Sequence, residues 1–127
     1  YIKENGICLF YWLIKDSGTI NGFTGAIWTG VTTLILAKAM KRALEVNLTG
    51  LYNLVNNDSI NKFELLRLFN KYFRNDKLTI LPSDKLQLDK TLKCTRTDFD
   101  FIVPSYEQMI IEMKEWVDAH KELYPTY

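Results

Sequence analysis

The chain has 127 residues, of which 47% are hydrophobic and 24% charged, an ordinary globular composition that excludes a disordered or fibrous protein. Sixteen basic side chains balance fifteen acidic ones, so the net charge of +1 gives no strong field for nucleic acid or an anionic membrane. The length fits a single domain, residues 1–127.

The first third of the chain predicts a helix–strand–helix order. An apolar run over residues 7–15 fits either a helix or a buried strand, and it is shorter than the about 20 residues that span a bilayer. Residues 19–23 are weakly strand-like. A helix then runs from a cap at Thr32 or Thr33 to Val46. Its periodic apolar residues, predicted to face the core, are Leu36, Ala37, Met40, Ala43 and Leu44, whereas Lys38, Lys41, Arg42 and Glu45 face solvent.

The remainder continues the alternation of strands and helices. It predicts a strand at 51–55, a helix at 60–74 capped within 57–59, and a strand at 78–81 that Pro82 ends. Residues 83–104 read as irregular, with one turn opened by Thr95. A last helix begins after the cap Ser105, has Gln108 as its N3 residue, and ends at Pro125. The order predicts the α/β class, as helices with a few short strands.

The strand at 51–55 raises a difficulty for a chain of this size. Two or three short strands separated by helices do not form a stable parallel sheet by themselves. The sequence also opens abruptly, on YIKENG. We therefore expect 51–55 to join a sheet whose other strands lie outside this sequence.

Several kinds of chemistry have no motif in the sequence. There is no glycine-rich dinucleotide or triphosphate loop and no Gly-x-Ser-x-Gly elbow. Tyr11 and Lys15 match Tyr-x-x-x-Lys formally, but they lie in an apolar run that reads as core. Cys8 and Cys94 are far apart and the chain has one histidine, so no metal site is predicted. Two reduced thiols and no export signal predict a cytoplasmic protein.

The segment Trp28-Thr29-Gly30-Val31-Thr32 is the first candidate site. Glycine permits close backbone approach, threonine hydroxyls and helix N-terminal amides bind polar or anionic groups, and an indole stacks on a sugar face. A purely structural interpretation stays open, with Trp28 in the core, Gly30 in a turn and Thr32 as a helix cap.

Arg96 is the second candidate. In the loop CTRTDFDF a guanidinium can bind a phosphate or a carboxylate with two hydrogen bonds. The alternative is an ion pair with Asp98 or Asp100, and the sequence leaves both interpretations open.

Three blocks in order carry a resemblance to a known family. They are GFTGAIWTGVTTLILAKAM (22–40), NLTGLYNLVNNDSINKFELLRLF (47–69) and TRTDFDFIVPSYEQMIIEM (95–113). Together they resemble the C-terminal part of dTDP-4-dehydrorhamnose reductases and related sugar-nucleotide reductases, members of the extended short-chain dehydrogenase/reductase family. The similarity extends from about residue 5 to 124.

The resemblance implies different functions for the N-terminal and C-terminal portions of the parent protein. In that family an N-terminal Rossmann portion binds NAD(P)H and carries the catalytic Tyr-x-x-x-Lys, and the C-terminal portion holds the nucleotide sugar. It therefore implies that this chain is the substrate-binding part, with the Rossmann core missing and no catalytic, cofactor-binding or metal-binding residue of its own. The implied substrate-binding residues are Trp28, Thr29, Gly30, Val31, Thr32 and Arg96.

The implied parent protein transfers hydride from NAD(P)H to the 4-keto group of a dTDP-linked 6-deoxyhexulose. Its expected partners are the nucleotide sugar, the N-terminal Rossmann portion, and a second copy through surface left uncovered at Val31, Leu51 and Leu54. The alternative is a non-catalytic regulatory or protein-interaction module of the same fold.

Overall fold

The computed structural model describes residues 8–125. They form a small α/β unit of four α-helices and a three-stranded mixed sheet, which confirms the predicted class in its coarse form. In chain order the elements are α1 (Leu9–Lys15), β1 (Thr19–Trp28), α2 (Thr33–Glu45), β2 (Ile60–Asn61), α3 (Lys62–Arg74), β3 (Thr79–Lys90) and α4 (Tyr106–Ala119), followed by a 3-10 turn at Lys121–Leu123.

β1 is the central strand of the sheet. It runs parallel to β3 from the pair Thr19–Thr79 to the pair Trp28–Lys90, with one register shift after Phe23. On its other side it pairs antiparallel with the two residues of β2. Because β1 and β3 are parallel, both long strands end at the same edge of the sheet.

Both long strands exceed their predicted lengths. The predicted end at Pro82 is wrong, because β3 continues through this residue to Lys90. Proline lacks an N–H, and an edge strand tolerates that loss because only one of its sides is paired. β3 has β1 as its single neighbour in the sheet, so it is such an edge. Of the range 83–104 that was predicted to be irregular, residues 91–104 are irregular, and the predicted turn at Thr95 does not form.

The sequence left a helix or a buried strand open for residues 7–15, and the structure has a helix over Leu9–Lys15. Residue 7 lies outside the described part of the chain. The helix begins where the Cys8 sulfur accepts a hydrogen bond from the Tyr11 amide at 3.4 Å. Phe10 and Leu13, three residues apart and therefore on one face, are buried against α3 and α4. The sequence interpretation of this run as core is therefore correct.

The predicted start of α3 is wrong by two residues. Ile60 and Asn61 pair with β1 as β2, so the helix begins only at Lys62. Its cap is the Asn61 side chain, which accepts from the Glu64 amide at 2.8 Å, and not a residue of 57–59. Leu66 and Phe69 of α3 are buried, and Phe63 and Phe73 are half-buried.

The predicted core face of α2 is wrong, although its cap, Thr32, is one of the two predicted residues. The buried residues are Ile35 and Ala39, on the side where Lys38 forms an ion pair with Glu112 of α4 at 2.6 Å. The described chain packs on that side alone. The residues predicted as core are instead exposed: Leu36 by 41%, Met40 by 60% and Leu44 by 80%.

The predicted strand at 51–55 is also wrong for the described residues. The segment has no regular secondary structure, and its backbone makes no hydrogen bond to another main-chain group of residues 8–125. A strand requires a paired neighbour, and no other strand of the described chain lies beside this segment.

α4 begins as predicted, because the Ser105 hydroxyl accepts from the Gln108 amide at 3.2 Å. It ends at Ala119, earlier than the predicted stop at Pro125. Trp116 is 43% exposed, with its ring stacked on that of His120 at 4.0 Å between centroids. The buried residues of α4 are Tyr106, Met109, Ile110, Met113 and Val117.

Candidate functional site

The two parallel strands end side by side, Trp28 of β1 opposite Lys90 of β3. The chain leaves the sheet there as Thr29-Gly30 and as Thr91-Leu92. In open α/β sheets, ligand crevices lie outside the carboxyl ends of the strands. We call residues 27–30 and 88–92 the carboxyl edge. Three predicted site residues lie in it, and Val31 and Thr32 lead from it into α2.

Thr29 joins the two strand ends. Its hydroxyl donates to the Leu92 carbonyl at 3.1 Å and accepts from the Leu92 amide at 2.8 Å. Its own carbonyl accepts from the Asn56 amide at 2.8 Å, and the Asn56 side chain donates to the Pro104 carbonyl at 2.8 Å. Thr29 and Asn56 are both buried, so these bonds hold four separate segments of the chain together at the carboxyl edge.

Trp28 folds its indole over the backbone of Gly30, where a β-carbon would lie 2.1 Å from the ring atom Cζ2. Glycine is therefore needed at residue 30 for space and not for an unusual backbone angle. On the other side, the Tyr106 hydroxyl lies 3.2 Å from both the Trp28 and the Asp58 carbonyl oxygens. Burial, with a smaller contribution from the charge of Asp58, raises the pKa of Tyr106 to about 12.

Val31 and Thr32 have structural contacts. Val31 packs against the buried cluster of Ile35, Tyr106 and Met109, so it is not the uncovered surface that the sequence predicted. The Thr32 hydroxyl caps α2 by accepting from the Ile35 amide at 3.4 Å. Both residues nevertheless line a cavity of about 170 Å³ beneath the Trp28 indole.

Arg96 is tied to its own neighbourhood. Its Nε and Nη2 donate to the Asp98 carboxylate at 2.9 and 2.5 Å, and Nη1 donates to the carbonyls of Thr49 and Leu51 at 2.8 and 3.0 Å. The guanidinium also lies 5.6 Å from the centroid of the Tyr52 ring. The hydrogen bond from Arg96 lowers the pKa of Asp98. Of the two predicted ion-pair partners, Asp98 is the one found.

Two larger cavities flank the carboxyl edge. One, of about 410 Å³, lies between the sheet and α3; apolar side chains including Trp28, Leu65 and Leu88 form most of its lining, together with Lys62 and Lys90. The other, of about 460 Å³, is more polar, with lining residues that include Thr29, Asn56, Asn57, Ser59, Thr91 and Lys93. Arg96 lines neither cavity, so the structure does not bring it together with the Trp28–Thr32 segment.

The chemistry of these cavities fits an amphiphilic, anionic ligand. Hydroxyl and amide groups exchange hydrogen bonds with sugar hydroxyls, and ammonium groups bind phosphate oxygens as point charges. Lys90 on one side of the edge and Lys93 on the other are three residues apart in sequence. An anionic group that crosses the strand ends would therefore have a cation on either side.

The sequence did not indicate Lys90 or Lys93 as site residues, and it predicted residues 57–59 only as a helix cap and not as part of a cavity lining. Lys90 ends a strand that was predicted to be irregular chain. The signal was present, because Leu86 and Leu88 alternate with Gln87 and Asp89 as in a strand with one apolar face. That alternation predicts a strand that ends near Lys90, and the structure places this strand end beside Trp28.

Other chemistry is not assembled in residues 8–125. These residues contain no group of three or more histidine, cysteine or acidic side chains suited to a metal ion. Cys8 and Cys94 are both free thiols. Lys15 lies over the ring of Tyr11, 5.5 Å from its centroid. No helix in this part of the chain is long and apolar enough to cross a bilayer.

No protein-family model and no curated protein matches the sequence. The fold is similar to that of dTDP-4-dehydrorhamnose reductase from Bacillus anthracis str. Ames, solved in complex with NADP, with a TM-score of 0.65 and 19% identity over 80% of this chain. It is also similar to dTDP-glucose 4,6-dehydratase from the same organism, solved in complex with NAD, with a TM-score of 0.55 and 12% identity over 94% of this chain.

The chain spans 38% of the length of the reductase and 42% of that of the dehydratase. At sequence identities of 19% and 12%, the structural similarity establishes the fold alone. It agrees with the family resemblance of the three sequence blocks, since both neighbours are enzymes of dTDP-linked sugars by name.

Proposed function

We propose that this chain is the nucleotide-sugar-binding portion of an NAD(P)H-dependent oxidoreductase of the dTDP-4-dehydrorhamnose reductase type. The observation that carries the proposal is the carboxyl edge, where two parallel strands end between an apolar and a polar cavity with a lysine on either side. The similarity of fold to two dTDP-sugar enzymes supports the class of ligand.

The proposed roles follow from the lining of each cavity. Trp28 and the apolar cavity accept the uncharged face of the sugar or base, since an indole packs on such faces. Asn57, Ser59 and Thr91 bond hydroxyl groups in the polar cavity, and Lys90 and Lys93 bind the diphosphate. Thr29, Gly30, Val31 and Thr32 hold the edge in shape from beneath.

That Arg96 binds the diphosphate of the ligand is a separate hypothesis. Its guanidinium already bonds Asp98 and two carbonyls, so contact with a ligand at the carboxyl edge requires it to exchange those partners. Lys90 and Lys93 need no such exchange, because neither side chain forms an ion pair within residues 8–125. The lysines are therefore our first choice.

The nicotinamide cofactor does not fit the described residues. A dinucleotide site needs glycines in a strand-to-helix turn so that the backbone can approach the diphosphate. The turn between β1 and α2 has a single glycine, Gly30, and the space above it is filled by the Trp28 indole. We therefore assign NAD(P)H to a Rossmann portion of a longer parent protein, which also supplies catalysis, and derive no step of hydride transfer from this chain.

Two further parts of the proposal concern partners and location. The N-terminal Rossmann portion is a partner of the chain, and without it the exposed apolar residues of α2 and Leu51 favour self-association. The protein is cytoplasmic, a proposal that two free thiols support because reducing compartments maintain them.

Titration calorimetry with dTDP-glucose tests the proposal. We expect a dissociation constant below 1 mM for the wild-type chain, at least tenfold weaker binding for Lys90→Gln, and unchanged binding for Lys85→Gln, a matched exposed lysine of β3 outside both cavities. UDP-glucose and inorganic diphosphate measure how much of the affinity comes from the base and the sugar. Absence of heat at millimolar dTDP-glucose, with the protein folded, would contradict the proposal.

A further inference from the structure

β3 has an open edge. Within residues 8–125 its single neighbour in the sheet is β1, so the main-chain groups on its other side face no strand of the described chain. Open strand edges pair readily with another chain, and many proteins protect them with proline or with charges that repel a second strand. Pro82 lies in the first half of β3, whereas residues 84–90 are all exposed and carry charges of both signs. We call residues 84–90 the edge segment.

The pairing with β1 is incomplete at the start of the edge segment. Where β1 runs from Phe23 to Gly25, β3 runs from Ser83 to Gln87, so residues 84–86 face a single residue of β1. Nearby side chains bond the main chain there instead. The Ser83 hydroxyl accepts from the amide two residues on at 3.5 Å, and the Gln87 side chain donates to the carbonyl three residues back at 3.1 Å. Such local bonds can be exchanged for those of a neighbouring strand.

The edge segment, DKLQLDK, is complementary to itself in the antiparallel direction. When two copies run antiparallel with Gln87 opposite Gln87, each aspartate lies opposite a lysine and each leucine opposite a leucine. Opposite charges and apolar side chains in such cross-strand pairs stabilise a sheet, and like charges destabilise it. The opposed pairs are Asp84 with Lys90, Lys85 with Asp89, Leu86 with Leu88, and Gln87 with itself.

This register is specific. A shift of two residues in either direction leaves no aspartate of the edge segment opposite a lysine, and a parallel arrangement in register places every charge opposite its own kind. The register also preserves the faces of the sheet. Leu86, Leu88 and Lys90 all line the cavity between the sheet and α3, so they share one face, and alternation places the residues between them on the other. Every opposed pair joins residues of the same face.

The charges of the edge segment are available for a partner. None of its two aspartates and two lysines forms an ion pair within residues 8–125. One oxygen of Asp89 accepts from the Thr91 amide at 2.8 Å, which leaves the other oxygen for a lysine. On the face towards α3, Leu86 is 38% and Leu88 41% exposed, so apolar surface is also left to cover.

We propose that the chain pairs with a second copy of itself through the open edge of β3, about a two-fold axis at Gln87. The two three-stranded sheets then form one continuous sheet. The self-complementary charges identify the occupant as a second copy, because another protein would have to offer the same order of charges. The contact is distinct from any association through α2, since it is isologous and closes after two copies.

Sedimentation equilibrium of charge-reversed variants tests the inference. All variants carry Met40→Lys, so that α2 does not contribute to association. Lys85→Glu places a carboxylate opposite Asp89, and Asp89→Lys places an ammonium group opposite Lys85. Because each repulsion occurs twice in the dimer, we expect either variant alone to dimerise at least tenfold more weakly than the Met40→Lys chain. In an equimolar mixture the two variants restore opposite charges at both pairs, and dimerisation should recover at least tenfold.

Two controls separate this contact from a general effect of charge or misfolding. Lys77→Glu reverses an exposed lysine that precedes β3, and it should leave dimerisation unchanged. Circular dichroism confirms that each variant folds. Hydrogen exchange then reports on the main chain: amides of the edge segment should exchange at least tenfold more slowly in the mixture than in either variant alone, whereas amides of α4 should not change.

Three results would each overturn the inference: a Met40→Lys chain that is monomeric at about 1 mM, a mixture that dimerises no better than its components, or unchanged exchange in the edge segment. The inference goes beyond the proposed function and does not rest on it. Lys85 and Asp89 line neither cavity at the carboxyl edge, and no nucleotide sugar enters the experiment. Failure here therefore leaves the calorimetric test intact, and the converse also holds.

Discussion

Gly30 and Trp28 share one volume at the end of β1: the indole atom Cε2 occupies a position 2.2 Å from where a β-carbon on residue 30 would be. The glycine is required because the ring lies on it, and the Tyr106 ring lies 6.1 Å from the indole between ring centroids.

Gly30→Ala should therefore displace the indole. We expect a loss of about 1–3 kcal/mol in the free energy of unfolding, as for overpacking of a rigid site, together with a shift in tryptophan fluorescence. Gly25→Ala is the matched control, because a β-carbon there meets only the end of the flexible Gln87 side chain, at 2.2 Å from Oε1. Urea denaturation of both variants makes the comparison, and equal losses would show that the indole does not require the glycine.

Thr29→Val tests the bond between the strand ends. The change removes both hydrogen bonds to Leu92 while keeping the shape of the side chain. Since the site is buried, we expect a loss of about 1–3 kcal/mol and faster hydrogen exchange at the Leu92 amide. Thr79→Val, at an exposed residue of β3, should leave both quantities nearly unchanged.

Tyr106 predicts a dependence of stability on alkaline pH. Its pKa in the folded protein is about 12, above the unfolded value of 10, so the folded state holds the proton more tightly. Its contribution is fully present below pH 10 and is lost as the pH rises towards 12. We expect the wild type to lose about 1–3 kcal/mol more than Tyr106→Phe between pH 9 and pH 11.5. Parallel urea titrations would reveal the difference, and identical slopes would assign the loss to other tyrosines.

Arg96→Lys separates a structural role from ligand binding. Lysine cannot reproduce the forked contact with Asp98 and two carbonyls, so we expect the midpoint of urea denaturation to fall. Asp98→Asn is the comparison, since it weakens the same pair while it keeps the guanidinium. If Arg96 binds the diphosphate, only Arg96→Lys weakens the calorimetric affinity for dTDP-glucose. Equal affinities in both variants would confine Arg96 to its structural role.

Self-association of the isolated chain is expected from the exposed apolar residues Leu36, Met40 and Leu44 of α2. Met40→Lys places a charge at a residue that is 60% exposed, so the unfolding free energy should change by less than about 0.5 kcal/mol. The weight-average mass in sedimentation equilibrium should nevertheless fall towards that of the monomer. Leu92→Lys, at a residue 59% exposed and outside α2, is the control. A monomeric wild type at millimolar concentration would contradict the expectation.

How much the sequence predicts depends on whether a signal is local. The caps Thr32 and Ser105 could be identified because each uses a hydroxyl and an amide three residues apart. The start of α3 could not be predicted, because Ile60 and Asn61 pair with β1, which lies more than thirty residues away in the sequence. The periodicity of α2 marked Leu36, Met40 and Leu44 as apolar but did not predict that the described chain packs instead on the side of Ile35 and Ala39.

The same division applies to the candidate site. The residue types of Trp28, Thr29 and Gly30 indicate a candidate site from the sequence alone. The hydrogen bond between Thr29 and Leu92 could not be predicted, because it joins residues that are 63 apart in sequence. Lys90 lies beside Trp28 because β3 continues past Pro82, and this pairing is not encoded locally. Arg96 was correctly noted as able to pair with Asp98, but the carbonyls of Thr49 and Leu51 are brought to it by the fold.

The Thr29 hydroxyl donates to the Leu92 carbonyl and accepts from the Leu92 amide. It thus takes the place of the backbone amide and carbonyl of one further residue pair in the sheet. The β1–β3 pairing is thus completed by a side chain at the point where strands normally fray. A ligand that arrives at the carboxyl edge therefore meets a surface already ordered, and it has little conformational entropy left to remove. Mutations that remove the Thr29–Leu92 hydrogen bonds should therefore lower the affinity for a ligand at this edge, even where they remove no contact with it. The reason is that the free protein becomes more mobile there, so that binding must order it.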